Sequence, residues 1–168
     1  MVSGSSGHGR DRLAALARHL TMTAILPDLQ SVILCEDVRT EVSGAQTLVG
    51  AIGAIATPQL PIGFFKLCLW TRWCGGIGKF HQDSRLLDPD DQTVAEASID
   101  FQLKEIEGSA TNVHFFGGVQ VRKFGVHHVE IRLDGDMRMR FPVPVVRVNQ
   151  PPAAGTNPGV FQPPSSGD

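Results

Sequence analysis

VHHVEIRLDGDMRMRFPVPVVRV, residues 126–148, alternates apolar and polar side chains on both sides of an Asp-Gly pair. Val129, Ile131 and Leu133 are separated by Glu130 and Arg132, and Met137, Met139 and Phe141 by Arg138 and Arg140. A period of two is the signature of a strand with one buried face. Facing residues of an antiparallel pair lie on the same side of the sheet. Matching Leu133 with Met137, Ile131 with Met139 and Val129 with Phe141 turns all six inward. That register needs a three-residue loop, Asp134–Gly135–Asp136, or a bulge beside it. The usual two-residue Asp-Gly turn would set Met137 against Arg132. Pro142 and Pro144 lack a ladder donor, which places the last strand at a sheet edge.

Upstream, Phe124-Gly125-Val126-His127 occupies the position where many Greek-key sandwiches tie a corner with a tyrosine hydroxyl. The chain has no tyrosine, so Gly125 and His127 are read as a structural pair, with a ring nitrogen making the tie. Further back, Ser31–Cys35 is a short β-branched run, and Gln46–Ala56 is a strand in which Gly50 and Gly53 signal a bulge or close approach. Phe64–Cys74 puts Phe65, Leu67, Leu69, Thr71 and Trp73 on one face, and Phe64, Lys66, Cys68, Trp70, Arg72 and Cys74 on the other. Val94–Leu103 and Val113–Val121 complete about seven strands with no helical period between them. The expectation is all-β: a single antiparallel β-sandwich, Ig-like or C2-like, over residues 24–148.

The flanks differ from this middle. Residues 1–23 are a Gly/Ser-rich leader in which Arg10–Leu20 has apolar residues at helical spacing, with Met22 an alternative start. Residues 149–168 hold five prolines and no lysine or arginine, a composition expected to stay disordered. Fifteen basic against seventeen acidic side chains give a net charge of −2, the wrong balance for a dedicated nucleic-acid binder. The uncharged stretch 42–65 is broken by Pro58, Pro61 and four glycines, so no membrane span is expected. With no secretory pattern and only three cysteines, the cytoplasm is the default compartment.

Cys35-Glu36-Asp37-Val38-Arg39, followed by Glu41, Gly44 and Thr47-Leu48-Val49-Gly50, resembles the opening hairpin of a bacterial family of uncharacterised β-sandwich domains. The closing Val129–Val146 hairpin, with its Leu-Asp-Gly turn and Pro-Val-Pro-Val ending, is similar too. The resemblance spans about residues 27–148. It implies the same fold and brings no catalytic residues with it.

Several constellations invite a chemical reading. Cys74-Gly75-Gly76-Ile77-Gly78-Lys79 lacks the first glycine, the Ser/Thr after the lysine and the following helix of a phosphate-binding loop, and reads as a strand connection. Cys68 and Cys74 lie too far apart along one strand to share a metal, and with Cys35 read as small core residues. His114, His128 and Glu130 would form a two-histidine, one-carboxylate metal site if their strands paired in register. Glu36, Asp37 and Glu41 in the first turn, with Asp88, Asp90 and Asp91 in a later loop, would gather at one end of a sandwich. Their oxygens suit calcium, although Arg39 and Arg85 interleave with them. No nucleophile elbow or His-Glu-x-x-His motif occurs. Trp70, Phe64, Lys66 and Arg72 share one strand face, and Arg132, Arg138 and Arg140 crowd the last hairpin. Aromatic and arginine side chains anchor binding surfaces; for Trp70 the competing reading is a place in the second half of the core or beneath a covering loop. The expectation is a non-catalytic interaction or scaffolding module without a cofactor, binding an unknown protein partner as a monomer or edge-paired homodimer. A metal-dependent protein, through calcium or the histidine set, is the alternative.

Overall fold

Strand alternation is clearest in the second half of β4 (Ile62–Cys74), where Leu69, Thr71 and Trp73 are fully buried and Arg72 between the last two is exposed. The structure, a computed structural model, describes residues 24–149; the leader, its helical spacing and the proline-rich segment lie outside them. The other strands are β1 (Asp28–Thr40), β2 (Gln46–Ala51), β3 (Ile55–Thr57), β5 (Gly78–Leu87), β6 (Thr93–Leu103), β7 (Ser109–Val121), β8 (Gly125–Leu133) and β9 (Asp136–Arg147). They build a four-stranded sheet, β2-β1-β4-β7, and a five-stranded sheet, β3-β9-β8-β5-β6. Leu67, Leu69, Trp73, Phe116 and Val119 from the first meet Phe80, Leu86, Val129, Ile131 and Val143 from the second in one core. The protein is an all-β sandwich. Among the described residues no helix is long and apolar enough to cross a membrane.

Among the described residues nine strands replace the expected seven, for two reasons. The inward positions of β5 include Gln82 and Ser84, both fully buried, so no apolar alternation marks that strand. Gln82 Oε1 accepts from Thr71 Oγ1 at 3.0 Å, Trp73 Nε1 at 2.7 Å and Asn112 Nδ2 at 2.8 Å, and its Nε2 donates to Ser84 at 3.0 Å. A buried amide is stable only when satisfied, and this one stitches β5 to β4 and β7 across the core. The run 46–56 splits around Gly53. Its first half stays with β1, and its last residues cross over to pair parallel with β9.

The Asp134–Gly135 turn is the two-residue type, with φ of 51° and 87°, as a type I′ turn requires. Met137 therefore faces Arg132, and the register shifts between Ile131 and Arg132 to restore the pairs Ile131–Met139 and Val129–Phe141. The expected adjacent bulge is present, but Met137 is not inward: it is 47% exposed, and Met139 lies at the sheet margin. Among the described residues the prolines of β9 do lie on an edge segment, capped only beyond Pro144 by three residues of β3.

Phe64 and Phe65 exchange the places assigned by simple alternation. Phe64 packs on the core and Phe65 is 95% exposed. The facing strand carries Gly117–Gly118, with Gly118 at φ 62°. Phe64 pairs with inward Val119, and Leu67 with inward Phe116, three positions away along each strand. Both strands thus change face together at the glycine pair, which two-residue alternation does not anticipate.

The β1–β2 hairpin doubles back over the outer face of its own sheet. Trp70 pairs with Ile33, and Gln46 pairs with Thr40, seven residues further along β1 and roughly 23 Å away if the strand were straight. Yet Trp70 Nε1 donates to Gln46 Oε1 at 2.6 Å. β1 leaves β4 after Cys35–Cys68, bends over Cys68, and is held there by the ion pair between Lys66 and Asp37. Trp70 lies beneath this flap, the covered arrangement rather than the open one.

Candidate functional site

A cleft of about 540 Å³ opens where the β5–β6 turn meets the end of β7 and the start of β8. Asp88, Gln92, Gln120, Arg122, Lys123 and His127 line it. Asp88 organises the turn: its Oδ1 accepts from the amides of Asp90 at 2.8 Å and Gln92 at 2.9 Å. Lys123 spans Asp88 and Asp90. The Lys123 ammonium, followed by the Gln92 amide, pulls the Asp88 carboxyl down to about 2, and Asp88 in turn holds the ammonium above its ordinary range. A carboxylate pinned in this way is a structural charge at neutral pH rather than a proton shuttle. Arg122 hydrogen bonds Gln120 at 2.8 Å.

His127 is inward and 1% exposed, and among the described residues neither ring nitrogen reaches hydrogen-bond geometry, so the expected corner tie through its ring is not seen there. Burial lowers its pKa, with the Gly125 backbone opposing. Gly125 is required beside it. Its φ is 124°, and a Cβ there would stand 3.0 Å from Pro89 Cγ. Gly135 serves the turn at φ 87°.

The six carboxylates considered for calcium do not converge. Asp37 is bound by Lys66 and Arg39, Glu41 accepts from Thr47 at 2.6 Å, and Glu36 packs against Gly50. Asp88 and Asp90 share Lys123, and Asp91 pairs with Arg140. The first three belong to the flap of one sheet and the last three to a turn of the other. The histidine set is separated as well. β7 and β8 are in different sheets; His114 is 3% exposed inside the core, while His128 and Glu130 face outward from β8. Among the described residues no group of three or more His, Cys, Asp or Glu side chains is placed to hold a metal.

The outer face of the five-stranded sheet is instead a charge ladder. Register aligns Glu96, Arg85, Glu130 and Arg140 across four strands. Glu130, only 6% exposed at its side chain, accepts Arg140 at 3.0 Å and faces Arg132 at 3.5 Å, while Arg85 lies 3.7 Å from Glu96. Arg138 stands apart, 3.9 Å from Asp136. His81 on the same face has Asp100 at 2.6 Å on one ring nitrogen and Asp83 at 3.3 Å on the other, and Asp100 raises its pKa. The sequence names most of these residues but not their pairing, which depends on strand order.

Around the rim of the four-stranded sheet the pattern is the opposite. Phe65 is 95% and Phe115 57% exposed; Phe115 stands opposite Cys68 on the neighbouring strand, with the Lys66 ammonium 5.7 Å from its ring centroid. Simple alternation assigns Phe65 to the core; the signal in the sequence that it faces outward is the Gly117-Gly118 pair on the adjacent strand.

No curated protein matches the chain. A family model described as a family of unknown function, DUF6941, matches residues 30–146, from near the start of β1 almost to the end of β9. The chain belongs to this family of unknown function.

Proposed function

We propose that the domain is a non-catalytic interaction module that grips a partner protein through the rim of its four-stranded sheet. The observation that carries this reading is Phe65, a phenylalanine 95% exposed on β4, with exposed Phe115 on the neighbouring strand opposite Cys68, three residues further along β4. Burying a phenylalanine side chain is worth roughly 1.5–3 kcal/mol, so two such rings form the kind of compact anchor that dominates interfaces. The polar groups support the same reading from the other side. Asp37, Asp88, Glu130, Arg132 and Arg140 are already engaged within the chain, which moves the weight of recognition from the arginines of the last hairpin to the aromatic rim.

The test is paired affinity capture with the wild-type chain and the Phe65→Ser/Phe115→Ser variant, after matching their melting curves. The expected result is a protein retained by the wild type and lost from the variant. Equal retention by both refutes the reading, and a change in particle mass to twice the chain weight assigns the rim to a second copy instead.

A further inference from the structure

The point where the β1–β2 flap leaves the sheet carries two cysteines. Cys35 and Cys68 are register partners on antiparallel β1 and β4, so their side chains leave the sheet on the same face. Directly opposed residues have Cα atoms about 4.5–5.5 Å apart, inside the roughly 4.4–6.8 Å range that a disulfide spans. Both are free thiols with 0% exposure. Their sulfurs sit against consecutive carbonyls of the bending chain: Cys35 Sγ is 3.5 Å from the Asp37 oxygen and Cys68 Sγ 3.9 Å from the Glu36 oxygen. The pair is also the last rung joining β1 to β4; past it, the flap rests on side-chain contacts from Lys66 and Trp70.

We infer that Cys35 and Cys68 form a redox modification site, closing to a cross-strand disulfide by exchange with a low-molecular-weight disulfide and thereby fastening the flap. One cysteine, as thiolate, attacks a sulfur of the small disulfide, expelling one small thiolate and leaving a mixed disulfide. The second cysteine, deprotonated in turn, attacks the protein-bound sulfur and expels the other. Two protein thiols are oxidised, one small disulfide is reduced to two thiols, and the two protons pass to the leaving groups. Attack requires the flap to lift, because burial both hides the thiols and raises their pKa values. Exchange is therefore slow until the Lys66–Asp37 contact opens. Cys74, facing Asp28 at the other end of β4, has no opposed cysteine.

The experiment uses the full chain carrying Cys74→Ser, equilibrated with oxidised glutathione, with and without a cycle of unfolding and refolding that removes the kinetic block. The expected product has lost both titratable thiols and about 2 Da, the two hydrogens of the exchange. It keeps its strand circular dichroism, and amides of Val38 and Leu48 exchange at least about tenfold more slowly than in the reduced form. Lys66→Met is expected to speed the reaction of the native chain several-fold. Free thiols or stable glutathione adducts after the refolding cycle overturn the inference, as does a disulfide that forms only with loss of the strand signal. Cys68→Ser, which leaves Cys35 alone, is expected to stop at the mixed disulfide; a 2 Da loss in that variant counts against the assignment.

Discussion

Lowering the pH places a load on one buried side chain, His114, that the wild-type fold cannot share out. His114 is 3% exposed on the inner face of β7, and among the described residues neither ring nitrogen has a hydrogen-bond partner. Burial takes its pKa from 6.5 down to about 4, with nearby Asp83 opposing and His81 adding to the shift. A histidine with a depressed folded-state value is protonated in the unfolded chain first. Its stabilising contribution is therefore complete above about pH 6.5 and is lost as pH falls toward 4. With these two values, linkage gives a loss of about 2 kcal/mol between about pH 7.5 and pH 5, a large part of a domain stability of about 5–15 kcal/mol. His127 acts in the same sense, and His81, whose value is raised, acts in the opposite one. The assay is therefore a difference: urea unfolding of wild type and His114→Phe at both pH values, with His114→Gln as a second variant if the phenylalanine overpacks the core. The wild type is expected to lose about 2 kcal/mol more than the variants over that interval. Equal losses refute the argument that an uncharged ring at this place is a condition of folding.

Gln82→Leu strands the Trp73 and Asn112 donors and leaves the Thr71 hydroxyl only the Asn112 carbonyl at 3.5 Å, and is expected to cost about 2 kcal/mol or more in urea unfolding, since each buried unsatisfied group costs roughly 1–3 kcal/mol. Lys123→Met removes the main cause of the low Asp88 value. An NMR carboxyl titration is expected to move Asp88 from a midpoint near 2 upward, and the variant loses less stability between about pH 4 and pH 2 because the depressed carboxylate no longer contributes there. Gly76→Ala would set a Cβ 2.7 Å from Pro27 Cβ and 2.9 Å from the Ile25 oxygen, and is expected to lower the melting temperature clearly more than Gly135→Ala. At Gly135 the space is open and only the φ of 87° is unfavourable.

Much of the sandwich is legible in the chain because five of its strands alternate against a single core. The hairpin 126–148 gives its own bulge once Met137 is asked to face Arg132, and covered Trp70 follows from a weighing of alternatives. What stays hidden has identifiable physical causes. β5 conceals itself because its buried positions are filled by Gln82 and Ser84, whose burial is compensated by hydrogen bonds rather than by apolar character. Phe65 is misassigned because two facing strands change sides at Gly117-Gly118, a tertiary event. The candidate metal sets dissolve for a topological reason. Consecutive β7 and β8 belong to different sheets, so His114 and His128 never share a face. Glu130 looks like a solvated ladder residue and is instead the buried centre of a cross-strand charge row. Sequence places such residues on a strand, but only strand order supplies their neighbours.

The claim that recognition runs through the aromatic rim is tested most directly by photocrosslinking in the native cell. A photoreactive amino acid is placed at Phe65 in one chain and at Glu96, on the charged outer face of the other sheet, in a second. The account predicts a discrete covalent adduct with another polypeptide from position 65 and none from position 96. Adducts absent from position 65, or the same from both positions, would contradict it.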